Sequence, residues 1–277
     1  MKPAKFQYHR PETVAEAAAL LHELGDEAKL IGGGQSLLPI MNMRLAEPSH
    51  LVDVAAVPEL RTCTLTGTGA VYGGATTHMM IEDELVPDVT RGLMPQAATG
   101  IGYRAIRTRG TLGGSLAHSD SSAEWPTVLS ALDATVHAVS TRGLRRIPVR
   151  DLLVGFFTTT LEEDELIASV EVPRLASRTR WGLYKQARKP GEFAESLAVV
   201  LRSEDSDQLW LGAARDVPVR LHAVESLIAD RPTDTLTAAD LLEAVEEDTG
   251  TEGHTRQLHA VAAHRALRAS RREETHV

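Results

Sequence analysis

The amino-acid sequence predicts a chain of mixed helices and strands, and three patterns carry this prediction. Residues 13–24 repeat apolar side chains at the three- to four-residue spacing of an amphipathic helix. Ala28–Ile31 is a short apolar run that leads directly into three glycines, as a strand leads into a tight turn. Residues 165–172 alternate apolar and polar side chains, as a strand does. One face of that strand is expected to hold Leu166, Ala168, Val170 and Val172.

Composition excludes several classes of protein. The chain has 277 residues, enough for one or two domains with a buried core. Its net charge is −9, from 29 Lys and Arg against 38 Asp and Glu, whereas a general nucleic-acid binder needs an excess of basic residues. No stretch approaches the ~20 apolar residues of a membrane-spanning helix, and the N-terminus lacks the apolar core of a secretory signal. We therefore expect a cytoplasmic protein without a transmembrane segment.

The chain contains a single cysteine, Cys63. One cysteine cannot form an internal disulfide, and it cannot by itself ligate an iron–sulfur cluster or a thiolate zinc site. We interpret Cys63 as an ordinary strand or loop thiol. Any metal or redox chemistry must therefore come from histidines and carboxylates, from an organic cofactor, or from a partner.

The first elements have clear boundaries. Thr13 and Glu16 have the spacing of a capping box, in which the threonine caps the helix and the glutamate reaches back. Gly25 ends this helix. Ala28–Ile31 and residues 51–54 follow as short strands, so the opening unit is α/β in character.

The remaining elements continue this mixture. The charged stretch 173–180 separates them into two groups and is predicted to be a boundary. Helices are predicted at residues 77–85, 92–100, 122–132, 221–229, 237–247 and 254–269, and strands at residues 70–75, 134–140, 181–187, 194–201 and 208–214.

The strongest local signal is a glycine turn at residues 29–37. Gly32, Gly33 and Gly34 permit positive φ angles and allow backbone N–H groups to approach a ligand closely. Successive N–H groups of this kind form a nest for an anion such as a pyrophosphate, and Gln35 and Ser36 add side-chain hydrogen bonds. The pattern is neither a Walker loop nor the G-x-G-x-x-G turn. A tight turn without a ligand is the alternative.

A second glycine turn lies at residues 107–120. It again combines small residues with hydroxyl groups, and two such turns suggest two walls around one extended, phosphate-bearing ligand. Arg107 and Arg109 precede the glycines and could pair with phosphate or with surface carboxylates, and we favour phosphate for one of them.

Several histidines have competing interpretations. His118 and Asp120 could be a catalytic pair, but we favour a role in supporting a cofactor. His78 follows two threonines at a predicted helix start, so a capping-region histidine is the alternative to a binding role. Three histidines spaced five apart spread around a helix, because each step turns by ~500°. We expect them to lie on a solvated face and not to bind metal; they are His254, His259 and His264.

Three ordered segments, GGGQSLLP, IRTRGTLGGSLAHSD and YKQARKPGEFA, resemble the FAD-binding medium subunit of the molybdenum hydroxylases, the xanthine dehydrogenase and carbon monoxide dehydrogenase group. The resemblance runs over nearly the whole chain. It implies an α+β fold. Residues 1–175 would be the two-lobed FAD-binding domain shared with vanillyl-alcohol oxidase and para-cresol methylhydroxylase, with lobes at about 1–55 and 56–175. Residues 176–277 would be a C-terminal domain, a three-stranded antiparallel sheet with helices.

The resemblance also implies a cofactor site. The first turn would wrap the FAD pyrophosphate, and the second would form the opposing wall. Glu124 stands where the family usually has Asp and is one methylene longer. The implied FAD-binding residues are Lys29, Leu30, Ile31, Gly32, Gly33, Gly34, Gln35, Ser36, Leu37, Thr77, His78, Arg107, Thr111, Leu112, Gly113, Gly114, Ser115, Asp120, Glu124, Ile167 and Lys185.

The function implied by the resemblance is electron transfer through FAD. In the family, a large subunit hydroxylates substrate at a molybdenum–pterin centre and a small subunit carries two 2Fe–2S clusters, and the implied assembly is a dimer of heterotrimers. The chain is expected to bind FAD, to contain no metal site and no catalytic residues for the organic substrate, and to pass electrons to an external acceptor. The alternatives are a stand-alone FAD-dependent oxidase or dehydrogenase and a non-redox nucleotide-binding protein.

Overall fold

The computed structural model describes residues 2–204, 206–231 and 233–271. Their N-terminal part is built on a parallel three-stranded sheet in the order β1-β3-β2. We call this part the N-terminal unit. Its elements are β1 (Gln7–His9), α1 (Val14–Leu24), β2 (Ala28–Ile31), α2 (Leu37–Asn42) and β3 (His50–Asp53).

The central unit is built on an antiparallel sheet in the order β4-β5-β10-β6-β7. A small two-stranded hairpin, β8-β9, stands beside it. The elements are β4 (Cys63–Leu65), β5 (Gly69–Gly73), α3 (His78–Glu82), α4 (Leu93–Thr99), α5 (Arg104–Arg107), α6 (Leu112–His118), α7 (Glu124–Ala131), β6 (Thr135–Ser140), β7 (Gly143–Pro148), α8 (Val149–Leu152), β8 (Leu153–Gly155), β9 (Thr158–Thr159) and β10 (Leu166–Pro173).

The C-terminal unit is an antiparallel sheet in the order β11-β12-β13-β14, covered by helices. The three predicted strands form most of this sheet, and a two-residue fourth strand extends its edge. The elements are β11 (Arg180–Gln186), β12 (Ser196–Arg202), β13 (Asp207–Gly212), β14 (Val219–Arg220), α9 (His222–Asp230), α10 (Leu242–Thr249) and α11 (Gly253–Ala269).

The predicted helices and strands each have a counterpart in the structure, with ends shifted by a few residues. The cap of α1 is confirmed: the Thr13 hydroxyl accepts a hydrogen bond from the Glu16 N–H at 3.1 Å. The Glu16 carboxylate reaches back to the N–H of Glu12, at 2.8 Å. Gly25 follows with a φ of 55°, which ends the helix at low cost for a residue without a Cβ.

The prediction that four residues of β10 share one face was wrong. The strand has a register shift between Ile167 and Ser169, and a bulge of this kind turns the side chains that follow it. Leu166 and Ala168 therefore pack in the core of the N-terminal unit, whereas Val170 joins the core of the central unit, as Ile167 also does. One strand thus supplies two cores, which holds the two units together.

The expectation that the three histidines of α11 are solvated was wrong for His259. This side chain is fully buried, and its Nδ1 lies 2.8 Å from the Ser196 hydroxyl. Burial lowers its pKa to about 4, so the imidazole is neutral at physiological pH. The reason is that α11 packs along β11 and β12, and a long helix on a sheet must bury one side whatever residue falls there.

Helix α7 lies between the central and C-terminal units, and every one of its residues is buried. Helix α7 packs on the face of the C-terminal sheet that carries Val199, Leu201 and Trp210. The opposite face of that sheet packs on α9–α11. The sheet is therefore covered on both sides, and the side chains at the start of α7 are held at the junction of the two units.

In the part of the chain that the structure describes, no helix is both long and apolar enough to cross a membrane.

Candidate functional site

The first glycine turn leaves four successive backbone donors free. Within the described residues, the N–H groups of Gly33, Gly34, Gln35 and Ser36 donate to no protein acceptor. The Gln35 side-chain amide donates to the carbonyl of Gly33 at 2.9 Å. This hydrogen bond stabilises the turn without using any of the four backbone N–H groups. A φ of 72° at Gly34 gives the turn its reversal. Consecutive free N–H groups of this kind form a nest that suits an anion.

The two glycine turns touch each other through positions that have no room for a side chain. A Cβ on Gly33 would overlap the carbonyl oxygen of Arg109, and one on Gly32 would lie 2.9 Å from the Thr111 hydroxyl. The Arg109 side chain also reaches back across this contact, with its Nε 3.4 Å from the Gly33 carbonyl oxygen. The glycines of the first turn are thus required by packing as well as by any ligand.

The second turn uses its backbone donors inside the protein. The N–H of Leu112 donates to Thr76 and that of Gly113 to Gly74, both at 2.9 Å. The Gly114 N–H donates to the Thr111 hydroxyl at 3.1 Å, so Thr111 caps the short helix α6 that begins within the turn. This helix was not predicted, because two adjacent glycines have low helix propensity. The cap and the tertiary hydrogen bonds overcome that cost.

Thr77 and Thr111 face each other across an isolated antiparallel bridge. The Thr77 hydroxyl caps α3 by accepting from the Met80 N–H at 3.2 Å, as the Thr111 hydroxyl caps α6. Two helix starts are therefore joined side by side next to the first turn. Gly114 is exposed and Ser115 half-buried, so these two residues present the second turn to its surroundings.

His78 lies beneath the second turn and is buried. Its Nδ1 accepts the indole N–H of Trp125 at 3.0 Å, which places the imidazole proton on Nε2 because indole is only a donor. A Cβ on Gly110 would lie 2.7 Å from this ring. Burial, and to a smaller degree the charge of Arg107, lowers the pKa of His78 to about 3. His78 is therefore a neutral support under the second turn. It is the first residue of α3, directly after the cap Thr77, as the capping-region alternative predicted, and its cofactor-binding role stays a prediction.

The structure does not support Arg107 as a phosphate ligand. Its guanidinium forms a two-point ion pair with Glu82 at 2.7 and 2.8 Å. The same group donates to the carbonyls of Ile101 and Gly102 at 3.1 and 3.0 Å. Four of its five N–H groups are thereby used within the protein. Of the two open interpretations, pairing with a carboxylate is the one that the geometry favours for Arg107, and its role is to brace the segment before the second turn.

Glu124 and Lys185 form a buried ion pair where the central and C-terminal units meet. The Lys185 ammonium lies 2.5 Å from a carboxylate oxygen of Glu124 and donates to the carbonyl of Gly100 at 3.0 Å. Glu124 is the first residue of α7 and only 4% exposed. Burial raises the pKa of its carboxyl group, and the charge of Lys185 opposes this shift. Residues 181, 183 and 185 alternate on the face of β11 that packs against the central unit, which directs the lysine to the pair.

The other predicted residues lie around this frame. Asp120 is buried, and its carboxylate accepts from the Ser122 N–H at 2.9 Å. His118 does not pair with Asp120 but stacks on Phe157, with ring centroids 4.7 Å apart. Ile167 is buried, and its carbonyl faces Gly74 behind the start of α6. The remaining members of the predicted set flank the two turns: Lys29 is exposed, Leu30 is half-buried, and Ile31, Leu37 and Leu112 pack in the cores.

Sequence reasoning missed several residues that build the site. Gly74 accepts from Gly113, Glu82 holds Arg107, Trp125 supports His78, and Gly100 holds Lys185. None of these belongs to a glycine-rich motif except Gly74, which directly follows β5 and stands two residues before a pair of threonines. Their partners are distant in the chain, so no local pattern could have identified them.

The residues present fit a dinucleotide cofactor. The first turn offers consecutive unused N–H groups, which suits a pyrophosphate. The second turn offers hydroxyl groups on a rigid backbone. The Glu124–Lys185 pair provides further polar atoms, linked to the second turn through Trp125 and His78.

Comparison with known proteins supports this assignment. Residues 4–175 match the model of the family described as the FAD binding domain in molybdopterin dehydrogenase. The nicotine 6-hydroxylase medium subunit of Paenarthrobacter nicotinovorans is 42% identical over 209 residues, covering 74% of this chain and 72% of that protein. Caffeine dehydrogenase subunit beta of Pseudomonas sp. (strain CBB1) is 31% identical over 280 residues, covering 96% and 95%.

A solved structure has the same fold over nearly the whole chain. Carbon monoxide dehydrogenase from Hydrogenophaga pseudoflava contains a chain that superposes with a TM-score of 0.88 at 30% identity, covering 98% of each chain. The family model covers more than half of the sequence, and the fold agrees from end to end. The chain therefore belongs to the FAD-binding proteins of the molybdopterin dehydrogenases, whose members are oxidoreductase subunits.

Proposed function

We propose that this chain is the FAD-binding electron-transfer subunit of a multi-subunit molybdenum hydroxylase. It would take electrons from the 2Fe–2S clusters of a small partner subunit and pass them to an external acceptor. The observation that carries the proposal is the first glycine turn, with its four unused N–H groups, in a chain of this family. FAD, when bound, can accept electrons singly and deliver them in pairs.

The chain's own residues would hold the cofactor and tune it. The N–H groups of residues 33–36 would bind the pyrophosphate, and the hydroxyl groups of Thr111 and Ser115 would form the opposite wall. Glu124 and Lys185 would act at a further part of the same ligand. The rest of the predicted binding set would shape the pocket, except Arg107, which braces it. We also propose a division at residues 175/176 into an FAD-binding and a C-terminal domain, since β10 ends at Pro173 and β11 begins at Arg180.

The proposal requires partners. Within the described residues, no group of three or more His, Cys, Asp or Glu side chains has the geometry of a metal site. We propose that a large molybdenum–pterin subunit and a small iron–sulfur subunit supply the metals, with a dimer of such heterotrimers as the assembly. The names of the relatives, medium chain or medium subunit, support this arrangement. The free cysteine is consistent with a cytoplasmic location.

The first test is binding of FAD by the purified chain. FAD is titrated into the protein and followed by flavin absorbance and fluorescence, with ADP and FMN as competitors. We expect one FAD per chain and competition by ADP, because the first turn recognises the pyrophosphate. A chain that binds ADP but does not change the absorbance or fluorescence of added FAD would instead be a non-redox nucleotide-binding protein.

The second test separates a subunit from a stand-alone oxidase. The chain is tagged in its source organism and purified under native conditions. We expect a large and a small chain to co-elute with it, together with molybdenum and iron. A tagged chain that elutes alone, contains FAD and turns over an organic substrate would contradict the subunit proposal.

A further inference from the structure

The Glu124–Lys185 pair is unusual because both charges are held at the junction of two units. Glu124 is 4% exposed, and the Lys185 side chain is 15% exposed. Removing two charges from water costs free energy that their attraction often fails to recover, so a buried pair is weak evidence for a stabilising role. The pair therefore needs an explanation other than stability.

The geometry leaves one donor of the lysine unused. An ammonium group has three N–H donors. One is directed to the Glu124 carboxylate at 2.5 Å and a second to the Gly100 carbonyl at 3.0 Å. Within the described residues, the third has no protein acceptor, and 15% of the lysine side chain is exposed.

The pair is also mechanically connected to the second glycine turn. Trp125, the neighbour of Glu124 on α7, donates to His78, and the His78 ring lies against Gly110. On the other side, the carbonyl of Gly100 leads into the segment that Arg107 braces through Ile101 and Gly102. Hydrogen bonds and packing thus connect the ion pair to the second turn, where we propose that the ligand is bound.

We propose that Glu124 is a positioning residue that holds the Lys185 ammonium toward bound FAD, and that the balance of their two charges sets how strongly the protein favours reduced over oxidised cofactor. This inference rests on the proposed function. Electrons that reach the cofactor add negative charge, so a nearby positive charge favours the reduced form and a negative charge disfavours it.

The charges of the pair give opposite expectations for two single variants. The native pair is neutral overall. Glu124→Gln leaves the lysine charge unbalanced, whereas Lys185→Met leaves the carboxylate unbalanced. The double variant is neutral again. A pair that only fastens two units together would change FAD content and thermal stability in all three variants, but it would not shift the potential in opposite directions.

The experiment measures the midpoint potential of FAD bound to each variant of the full chain, by reductive titration against a dye of known potential. For Glu124→Gln we expect reduced FAD to gain about tenfold in binding relative to oxidised FAD, which is a rise of about 30 mV for a two-electron couple. Lys185→Met should shift the potential in the opposite direction by a smaller amount, because the buried Glu124 carboxyl group binds a proton more readily once the lysine charge is gone, and the double variant should return close to the native value.

Two controls complete the design. Glu225→Gln removes the charge of another half-buried carboxylate, which pairs with Arg220 at 2.9 Å on the far side of the C-terminal sheet, and it should leave the potential unchanged. Glu124→Asp keeps the charge and should stay near the native potential. If Lys185→Met fails to retain FAD, the comparison of Glu124→Gln with Glu124→Asp decides the question.

Shifts in the same direction for both single variants, or no shift in either, would overturn the inference while leaving the proposed function intact. A native chain that binds no FAD would overturn the proposed function itself, so the two failures are distinguishable.

Discussion

The two glycine turns have similar compositions and opposite uses of their backbone. Each combines glycines with hydroxyl side chains, and each follows a short run of regular structure. In the first turn, the N–H groups of residues 33–36 are unused within the described part of the chain. In the second, the N–H groups of residues 110 and 112–115 all donate to protein acceptors.

This difference shows that a glycine-rich turn can be a binding loop or a packing device. The glycines of the first turn pack closely against the second turn and still leave the backbone N–H groups free for a ligand. Those of the second allow close approach of neighbouring chain, since a Cβ on Gly113 would lie 2.7 Å from the Gly74 carbonyl oxygen. We therefore expect the second turn to act as a rigid wall that supports the first.

The largest expected effect comes from Gly33→Ala. The added Cβ would overlap the backbone of Arg109 and Gly110, which cannot rotate away, so the two turns must separate. We expect the free energy of unfolding to fall by about 2–3 kcal/mol and FAD to be lost. Thermal unfolding and the flavin-to-protein absorbance ratio measure these changes.

Gly114→Ala is the matched control for that variant. Gly114 is exposed, and its Cβ would lie 2.7 Å from the Thr111 hydroxyl alone, an overlap that is relieved when this side chain rotates at the cost of its cap. Alanine is also the better helix former by about 0.5–1 kcal/mol, so stability should stay within about 1 kcal/mol of native. Equal losses of stability in Gly33→Ala and Gly114→Ala would contradict the difference between the two turns.

Acid should weaken the support of the second turn through His78. The folded-state pKa is about 3, whereas an unfolded histidine titrates near 6.5. Between these values the unfolded chain binds the extra proton, so the free energy of unfolding falls as pH falls. His78→Gln keeps an acceptor for Trp125 and removes this titration.

Chemical denaturation at pH 6.5 and pH 5 measures the effect. The native chain should lose about 1.5 kcal/mol more than His78→Gln over this interval. His259, which titrates near 4, is present in both proteins and cancels from the difference. The same loss in both proteins would show that His78 is not the titrating group.

The smallest effect concerns the two threonine caps. Thr111→Val removes the acceptor for Gly114 N–H, and Thr13→Val removes the acceptor for Glu16 N–H at the start of α1. Each should cost about 1 kcal/mol of stability. Only Thr111→Val should also weaken FAD binding, by a few-fold, in a fluorescence titration. Unchanged FAD affinity would restrict Thr111 to its capping role.

Local patterns predicted much of the fold because the relevant interactions are local. The cap at Thr13, the stop at Gly25 and the strand Ala28–Ile31 depend on neighbours within a few residues, and all three are present. Helix α6 was missed because its stability comes from hydrogen bonds to Thr76 and Gly74, outside the local sequence. The bulge in β10 and the burial of His259 likewise depend on partners that are distant in the chain.

The sequence alone determined the positions of the two glycine turns and the resemblance to a family, since both are statements about residue order. Only the tertiary structure decided how those turns are used. Arg107 is turned away from a ligand because Glu82 and two carbonyls hold it. Glu124 meets Lys185 because α7 packs on β12 and β13, on the same face of the C-terminal sheet from which the lysine of β11 extends. The physical reason is that a side chain forms hydrogen bonds and ion pairs with whichever groups the fold brings next to it. When these groups are distant in the sequence, no local pattern identifies them.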